Sequence, residues 1–259
     1  MLLLLTNVQL SGQTLFSDDL ESGTSAWTIF PGTPICTSPQ YVSTATDLNA
    51  NHTPGGSYGY KLTNASDRVY HDISLASFPT NGVHFSVWYY DTLDTRAYSF
   101  EPFDVRTTNS SQVLGLGAYY GIDYYMVRIL KDAGGFSPNW IETSIYRTPG
   151  WHQFELYQYR GQTADTVDFY IDSTLAYHTT SAQDGTLNRV VLGLGFANNI
   201  YQSGYVDDIS VTQIPELRTL TFLALVLGVG YTVMVRLKRE TQRRASWSSS
   251  HFLWGRPPA

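Results

Sequence analysis

Five carboxylates stand in two tight groups, Asp18, Asp19 and Glu21 in "FSDDLES" and Asp207 and Asp208 in "GYVDDIS". Four or five carboxylates cannot share one site unneutralised at low cost, because each charge raises the work of ionising the next. A hard cation held by oxygen ligands is the usual remedy, so the two groups, if brought together, make a structural Ca²⁺ site. The alternative is five acids solvated separately at strand ends. Asp207 is the stronger candidate of its pair: Ile209 and Val211 share its parity and read as core-facing, and a buried carboxylate needs a partner more than an exposed one.

A second set of residues suits recognition rather than catalysis. Tyr119, Tyr120, Tyr124 and Tyr125 follow "VLGLG" at 113–117, and Tyr201 and Tyr205 follow the same string at 191–195. Rings presented to solvent stack on sugar faces, whereas most rings in a small sandwich fill the core. Tyr119, Tyr120, Tyr124, Tyr201 and Tyr205 are the candidate ligand contacts. The glycines inside both strings permit a bend or a close approach, and the repeat reads as two similarly curved strands.

Catalytic patterns are missing. The sequence has no Gly-x-Ser-x-Gly elbow, no His-Glu-x-x-His and no phosphate-binding glycine loop. His52, His71, His84, His152 and His178 are scattered without ligand spacing and read as plain polar residues. Cys36 stands alone, which excludes an intramolecular disulfide and suits bacterial export better than a eukaryotic ectodomain. The sequons at Asn51, Asn64 and Asn109 read as chance in a Ser/Thr/Asn-rich chain.

The elements that must position these groups are strands. Of 259 residues only 15% are charged while 14% are aromatic, a mixture that favours short strands over helices. In "VHFSVWYYDT" Val83, Phe85, Val87 and Tyr89 fall on one face and His84, Ser86, Trp88 and Tyr90 on the other, the period of a sheet covered on one side. Turn signals such as Pro54-Gly55-Gly56, Asp132-Ala133-Gly134-Gly135, Thr148-Pro149-Gly150 and Asp184-Gly185 separate the runs at sandwich intervals. No linker divides residues 14–213, which read as one domain. Up to Gln213 there are nine Lys and Arg against twenty Asp and Glu; from Ile214 onward there are seven against two. An acidic body of this kind has no footprint for nucleic acid.

"TPGWHQFELYQYRGQTADTVDFYIDSTLAYHTT" resembles the laminin-G or concanavalin-like jelly roll: Trp-His opens a strand, and an aromatic-Ile-Asp turn leads into another, with Asp172-Ser173 where the family usually has Asp-Gly. "FSDDLESGTSAW" and "GYVDDISVTQ" resemble the first and last strands of such sandwiches, including many carbohydrate-binding modules. The resemblance implies an antiparallel jelly-roll β-sandwich whose first and last strands lie side by side, which would bring Asp18, Asp19 and Glu21 near Asp207 and Asp208. Glucanases of this fold carry Glu-x-Asp-x-x-Glu, and none of Glu21, Glu101, Glu142, Glu155, Glu216 and Glu240 begins that motif; Asp91 and Asp94 are a poor substitute. The expected function is therefore non-catalytic glycan binding. The alternatives are a structural surface protein without a small ligand and a divergent glycoside hydrolase or lyase.

The tail gives an address. Seventeen residues without charge run from Thr219 to Val235, about 25 Å of helix at roughly 1.5 Å per residue, near the lower limit for a bilayer core of about 30 Å. Arg236, Lys238, Arg239, Arg243 and Arg244 all follow the run, so the positive-inside rule leaves the tail in the cytoplasm and the acidic body outside. Pro215-Glu216 ahead of this run and the Arg-rich end resemble the PEP-CTERM sorting signal of exported bacterial proteins, with Leu217 in place of the second proline. That resemblance implies an exosortase as processing partner and a polysaccharide-rich cell envelope. The expected organisation is a truncated signal peptide at 1–13, the sandwich at 14–213, a single transmembrane helix within the anchor at 214–239 and a basic tail at 240–259.

Overall fold

The structure, a computed structural model, describes residues 12–31, 36–63, 66–74, 81–93, 99–119, 121–130, 139–161, 165–181, 186–193 and 204–215, together with Met234. The chain divides at Ile214/Pro215. The strands of the first unit are β1 (Thr14–Asp18), β2 (Thr28–Ile29), β3 (Gln40–Ser43), β4 (Tyr58–Leu62), β5 (Arg68–Asp72), β6 (Gly82–Asp91), β7 (Ser99–Arg106) and β8 (Val113–Tyr119). They continue as β9 (Tyr124–Leu130), β10 (Asn139–Tyr146), β11 (Gly150–Tyr159), β12 (Asp165–Ile171), β13 (Thr174–Ser181), β14 (Arg189–Gly193) and β15 (Gly204–Gln213).

These strands form two antiparallel sheets, the β-sandwich that the alternation predicts. One has eight strands in the order β13-β12-β11-β6-β15-β4-β3, with β1 also paired to β15; the other has seven, β10-β9-β8-β7-β14-β5-β2. The last strand thus sits inside its sheet, between β6 and β4, and meets the first strand through Asp18↔Ile209. Adjacency of first and last strands is as the jelly-roll resemblance implies.

The parity reading of β6 holds for the core face, where Val83, Phe85, Val87 and Tyr89 are fully buried; on the far side His84, Trp88 and Tyr90 remain part-exposed, while Ser86 is covered. Tyr89 meets Phe100 of the opposite sheet at 5.9 Å between ring centroids, and Tyr125 meets Phe154 edge-on at 5.2 Å. Each such ring contributes about 1.5–3 kcal/mol by leaving water. The Asp172-Ser173 turn joins β12 to β13 with φ of 50° and 63°, the left-handed pair a two-residue hairpin requires. Without glycine, the Asp172 carboxylate locks the turn, accepting from the Gln153 amide at 2.9 Å and pairing with His152 Nδ1 at 2.6 Å.

The first "VLGLG" string lies in β8 and residues Val191–Gly193 of the second lie in β14; both strands flank β7, with Gly115 and Val191 on either side of Asp104. A Cβ on Gly115 would lie 1.8 Å from Glu101 Oε1, so the bare backbone makes room for a buried carboxylate. Among the described residues no helix is long and apolar enough to cross a membrane. Residues 219–235 apart from Met234, together with Glu216 and nearly all of 1–13, lie outside the described residues.

Candidate functional site

The outward face of the eight-stranded sheet carries a cleft of about 580 Å³. β6 contributes Ser86 and Trp88, β11 Gln153, β15 Asp208 and Ser210, and the β1 end Asp18 and Asp19. Two-residue periodicity puts these side chains on one surface, since the intervening residues fill the core. Gln153 Nε2 donates to Ser86 Oγ at 3.1 Å, which fixes the floor.

Trp88 is held by rings and acids. His52 stacks on it at 3.8 Å with 16° between planes and also meets Trp151 edge-on at 5.4 Å. Asp208 orients that histidine through His52 Nδ1 at 2.6 Å and accepts from the Thr53 hydroxyl at 2.5 Å. Asp208 itself has φ of 49°, a conformation costing a non-glycine residue about 1–2 kcal/mol. It occurs where the pairing of β15 with β6 slips between Asp207 and Ser210. Strain of this kind persists where neighbours over-determine it; here His52 and Thr53 do so.

The five expected metal ligands do not converge. Asp18 accepts from the Leu20 amide at 2.8 Å and from Trp27 Nε1 at 2.7 Å, and Asp19 accepts from the Glu21 amide at 3.1 Å. Glu21 Oε1 takes the Asn51 side-chain amide and the backbone N–H of Ser57 and Tyr58, at 2.7, 2.8 and 2.9 Å. Asp207 accepts from the His52 amide at 2.7 Å and the Thr53 amide at 3.2 Å. Burial pushes the Asp207 carboxyl up to about 6, against the pull of the His52, Asp208 and Thr53 N–H donors. Among the described residues no three of His, Cys, Asp and Glu are grouped to hold one ion. Glu21, in the turn after β1, and Asp207, in β15, instead grip the 51–58 segment, and Asp18, Asp19 and Asp208 line the cleft.

The candidate tyrosines also separate. Tyr119 and Tyr124 are exposed on the seven-stranded sheet, beside Trp140 at 6.2 Å and Tyr146 at 5.5 Å respectively. Tyr205 lies on the other sheet, 5% exposed, and its hydroxyl donates to Asp47 at 2.6 Å. It is thus a strand residue packed edge-on against Tyr90 at 5.7 Å, not a loop ring offered to solvent. Tyr125 is fully buried in the core. Tyr120 and Tyr201 lie outside the described residues.

A buried charge array on the seven-stranded sheet carried no sequence signal. Arg106 Nε donates to Asp104 at 2.6 Å, Arg68 approaches the same carboxylate at 3.4 Å, and Arg128 donates to Glu101 Oε2. Burial pushes the Glu101 carboxyl up to about 7 despite the opposing field of Arg128. The ring of Phe30 lies under the guanidinium groups of Arg68 at 4.7 Å and Arg106 at 4.9 Å. Alternation along β7 marks Asp104 as outward-facing, but not as covered.

No protein-family model matches the sequence, and no curated protein is similar to it. Among solved structures, the fold is similar to that of the cellulose induced protein Cip1, at a TM-score of 0.52 and 14% identity over 77% of this chain and 97% of that one. The binding domain of Paraclostridial Mosquitocidal Protein 1 gives 0.48 and 14% over 70% and 44% of the two chains. The receptor binding domain of botulinum neurotoxin D gives 0.43 and 13% over 63% and 42%. This chain thus spans less than half the length of these two toxin domains. The likeness to Cip1 places the body among β-sandwiches.

Proposed function

We propose that the body is a non-catalytic glycan-binding module whose site is the cleft beside Trp88. The observation that carries this reading is the cleft itself: an indole in its wall, held by His52, beside the hydroxyl, amide and carboxylate groups of Ser86, Gln153, Ser210 and Asp208. A sugar needs that combination of an apolar ring and fixed polar groups. The test is a glycan array probed with the full chain in detergent, beside Trp88→Ala. Truncating the indole removes a contact of about 0.5–1.5 kcal/mol, up to tenfold in Kd. Binding to no glycan, or binding untouched by Trp88→Ala, would leave the structural surface component as the better reading. Release of reducing sugar or unsaturated uronate from a polysaccharide would favour the hydrolase or lyase.

The module is placed by its tail. The apolar run at 219–235 and the basic cluster after it support export with a single membrane anchor and the body outside. Pro215-Glu216 supports an exosortase as processing partner in a polysaccharide-rich envelope. The calcium reading narrows to Glu21 and Asp207, whose hard oxygens flank the 51–58 segment; a bound ion there would neutralise both and tie β15 to the segment after β1. The acidic body argues against nucleic acid as a partner.

A further inference from the structure

Two ten-residue strands, β6 and β11, pair without a slip along their whole length, and their outward residues form a strip. In register it reads Tyr90 beside Trp151, Trp88 beside Gln153, Ser86 beside Glu155, His84 beside Tyr157, and Tyr159 beside Gly82. At about 3.4 Å per residue, Trp151 to Tyr159 spans roughly 27 Å, and Gln153 to Tyr157 roughly 14 Å. The strip therefore runs well beyond the cleft.

Its far end is also aromatic and also fixed. Tyr157 lies flat on His84, 4.0 Å between centroids and 9° between planes, and Tyr159 follows at 6.2 Å and 13°. Glu155 Oε1 binds His84 Nε2 at 2.9 Å and the Tyr157 hydroxyl at 3.1 Å, which holds both rings in place. Tyr170 of β12 buttresses Tyr157 edge-on at 5.4 Å. Rings stand at both ends of the strip, with amide, hydroxyl and carboxylate between them.

Charge narrows the occupant. The strip carries Glu155 and has Asp18, Asp19 and Asp208 at its side, but no lysine or arginine. The cations near its ends, Lys61 toward Trp151 and Arg160 after Tyr159, are paired to Asp47 at 2.7 Å and to Asp165 at 3.0 Å. A uronate or sulfated polymer would meet carboxylates, Glu155 beside His84 and Asp208 beside His52, with no lysine or arginine in the strip to receive its charge. An uncharged chain meets rings and hydrogen-bonding groups.

We infer that the site takes an extended, uncharged linear polysaccharide that lies along β6 and β11, with Trp88 contacting one stretch and Tyr157 and Tyr159 another several residues away. This inference rests on the glycan-binding reading and adds chain length, direction and charge to it. Each further ring that a longer chain reaches contributes up to about tenfold in affinity.

The test is titration calorimetry of the full chain in detergent against β-1,4- and α-1,4-glucan oligomers of two, four and six units, with oligogalacturonates as the charged comparison. Affinity for one neutral series should rise about tenfold or more from the dimer to the hexamer, with the oligogalacturonates weaker throughout. Tyr159→Ala and Tyr157→Ala should abolish the rise while leaving the dimer bound, and Trp88→Ala should weaken both lengths. Circular dichroism confirms that each variant folds, and Tyr159, which anchors no hydrogen bond to Glu155, guards against a collapse of that network. Affinity independent of length but lost in Trp88→Ala would overturn the strip and keep the cleft. Preference for the acidic series would overturn the charge argument, and no binding by any oligomer of either series would overturn both readings.

Discussion

Gly115→Ala tests how the seven-stranded sheet accommodates a carboxylate. The added methyl would lie 1.8 Å from Glu101 Oε1, 2.6 Å from its Cδ and 2.9 Å from its Cγ, distances at which something must move. Glu101 has nowhere convenient to go, being 2% exposed with its other oxygen held by Arg128. If the side chain only shifts, overpacking costs about 1–3 kcal/mol; if it swings off Arg128, an uncompensated buried charge costs about 3–5 kcal/mol. We expect about 3 kcal/mol, which at an m-value of roughly 3 kcal/mol/M lowers the urea midpoint by about 1 M. The assay is urea unfolding of wild type, Gly115→Ala, Glu101→Ala and the double variant. With Glu101 shortened the clash vanishes, so introducing Gly115→Ala into the Glu101→Ala background should cost less than about 0.5 kcal/mol, the difference being the coupling energy. Equal costs of Gly115→Ala in both backgrounds would refute the reasoning. Gly121→Ala makes a useful contrast, since nothing lies within 4 Å and its φ of +71° alone sets a penalty, about 1–2 kcal/mol.

Stability should fall as pH rises from about 4 to about 7. Burial raises the Asp207 carboxyl from 3.8 to about 6 and the Glu101 carboxyl from 4.5 to about 7, so over that window the folded chain binds more protons than the unfolded one. Asp207→Asn should flatten the slope between pH 4 and 6 in urea titrations, removing up to about 3 kcal/mol of variation; an unchanged slope would deny that Asp207 titrates there. If Glu21 and Asp207 share Ca²⁺, a hundredfold excess over the dissociation constant adds about 2.7 kcal/mol. Chelation should then lower the melting temperature of the wild type and of Asp172→Ala but not of Asp207→Ala, and a melt indifferent to chelator and calcium would strike the metal from the account. Tagged full-length chain should fractionate with membranes and a chain ending at Gln213 should not; equal distribution would remove the anchor. Substitution of Pro215 and Glu216 should leave insertion intact and impair sorting, and unchanged processing would remove the exosortase.

The sandwich was legible because apolar and polar residues alternate strictly where one face is buried, as from Val83 to Tyr90. Asp207 is buried as expected but for another reason: the slip between Asp207 and Ser210 breaks its parity with Ile209 and Val211, so Asp207 stands opposite Trp88 on the outward face, where the 52–53 segment covers it. Trp88 stood on the outward face by that count, but the cleft needs β1, β6, β11 and β15 side by side, and parity within one strand does not state which strands meet. Tyr205 was misplaced because a ring after a glycine-rich string reads as a loop, whereas β15 has already begun at Gly204. The Glu101–Arg128 pair left no trace because nothing local distinguishes a covered charge from a solvated one. The glycines of the repeat, by contrast, did announce a close approach, without naming the carboxylate that makes it.

The last strand among the described residues occupies the interior of the eight-stranded sheet, between β6 and β4, with β1 closing on it. Until Gly204–Gln213 emerges from the ribosome, β6 has no partner on one side, and β1 and β4 have nowhere to dock in that sheet. Pairings between residues about two hundred positions apart, such as Asp18 with Ile209, are slow to form. The eight-stranded sheet therefore cannot close until β15 has been made, and the edge of β6 that β15 covers stays exposed until then. Completion of the fold is in this way timed to the arrival of the C-terminal strand rather than to the start of the chain.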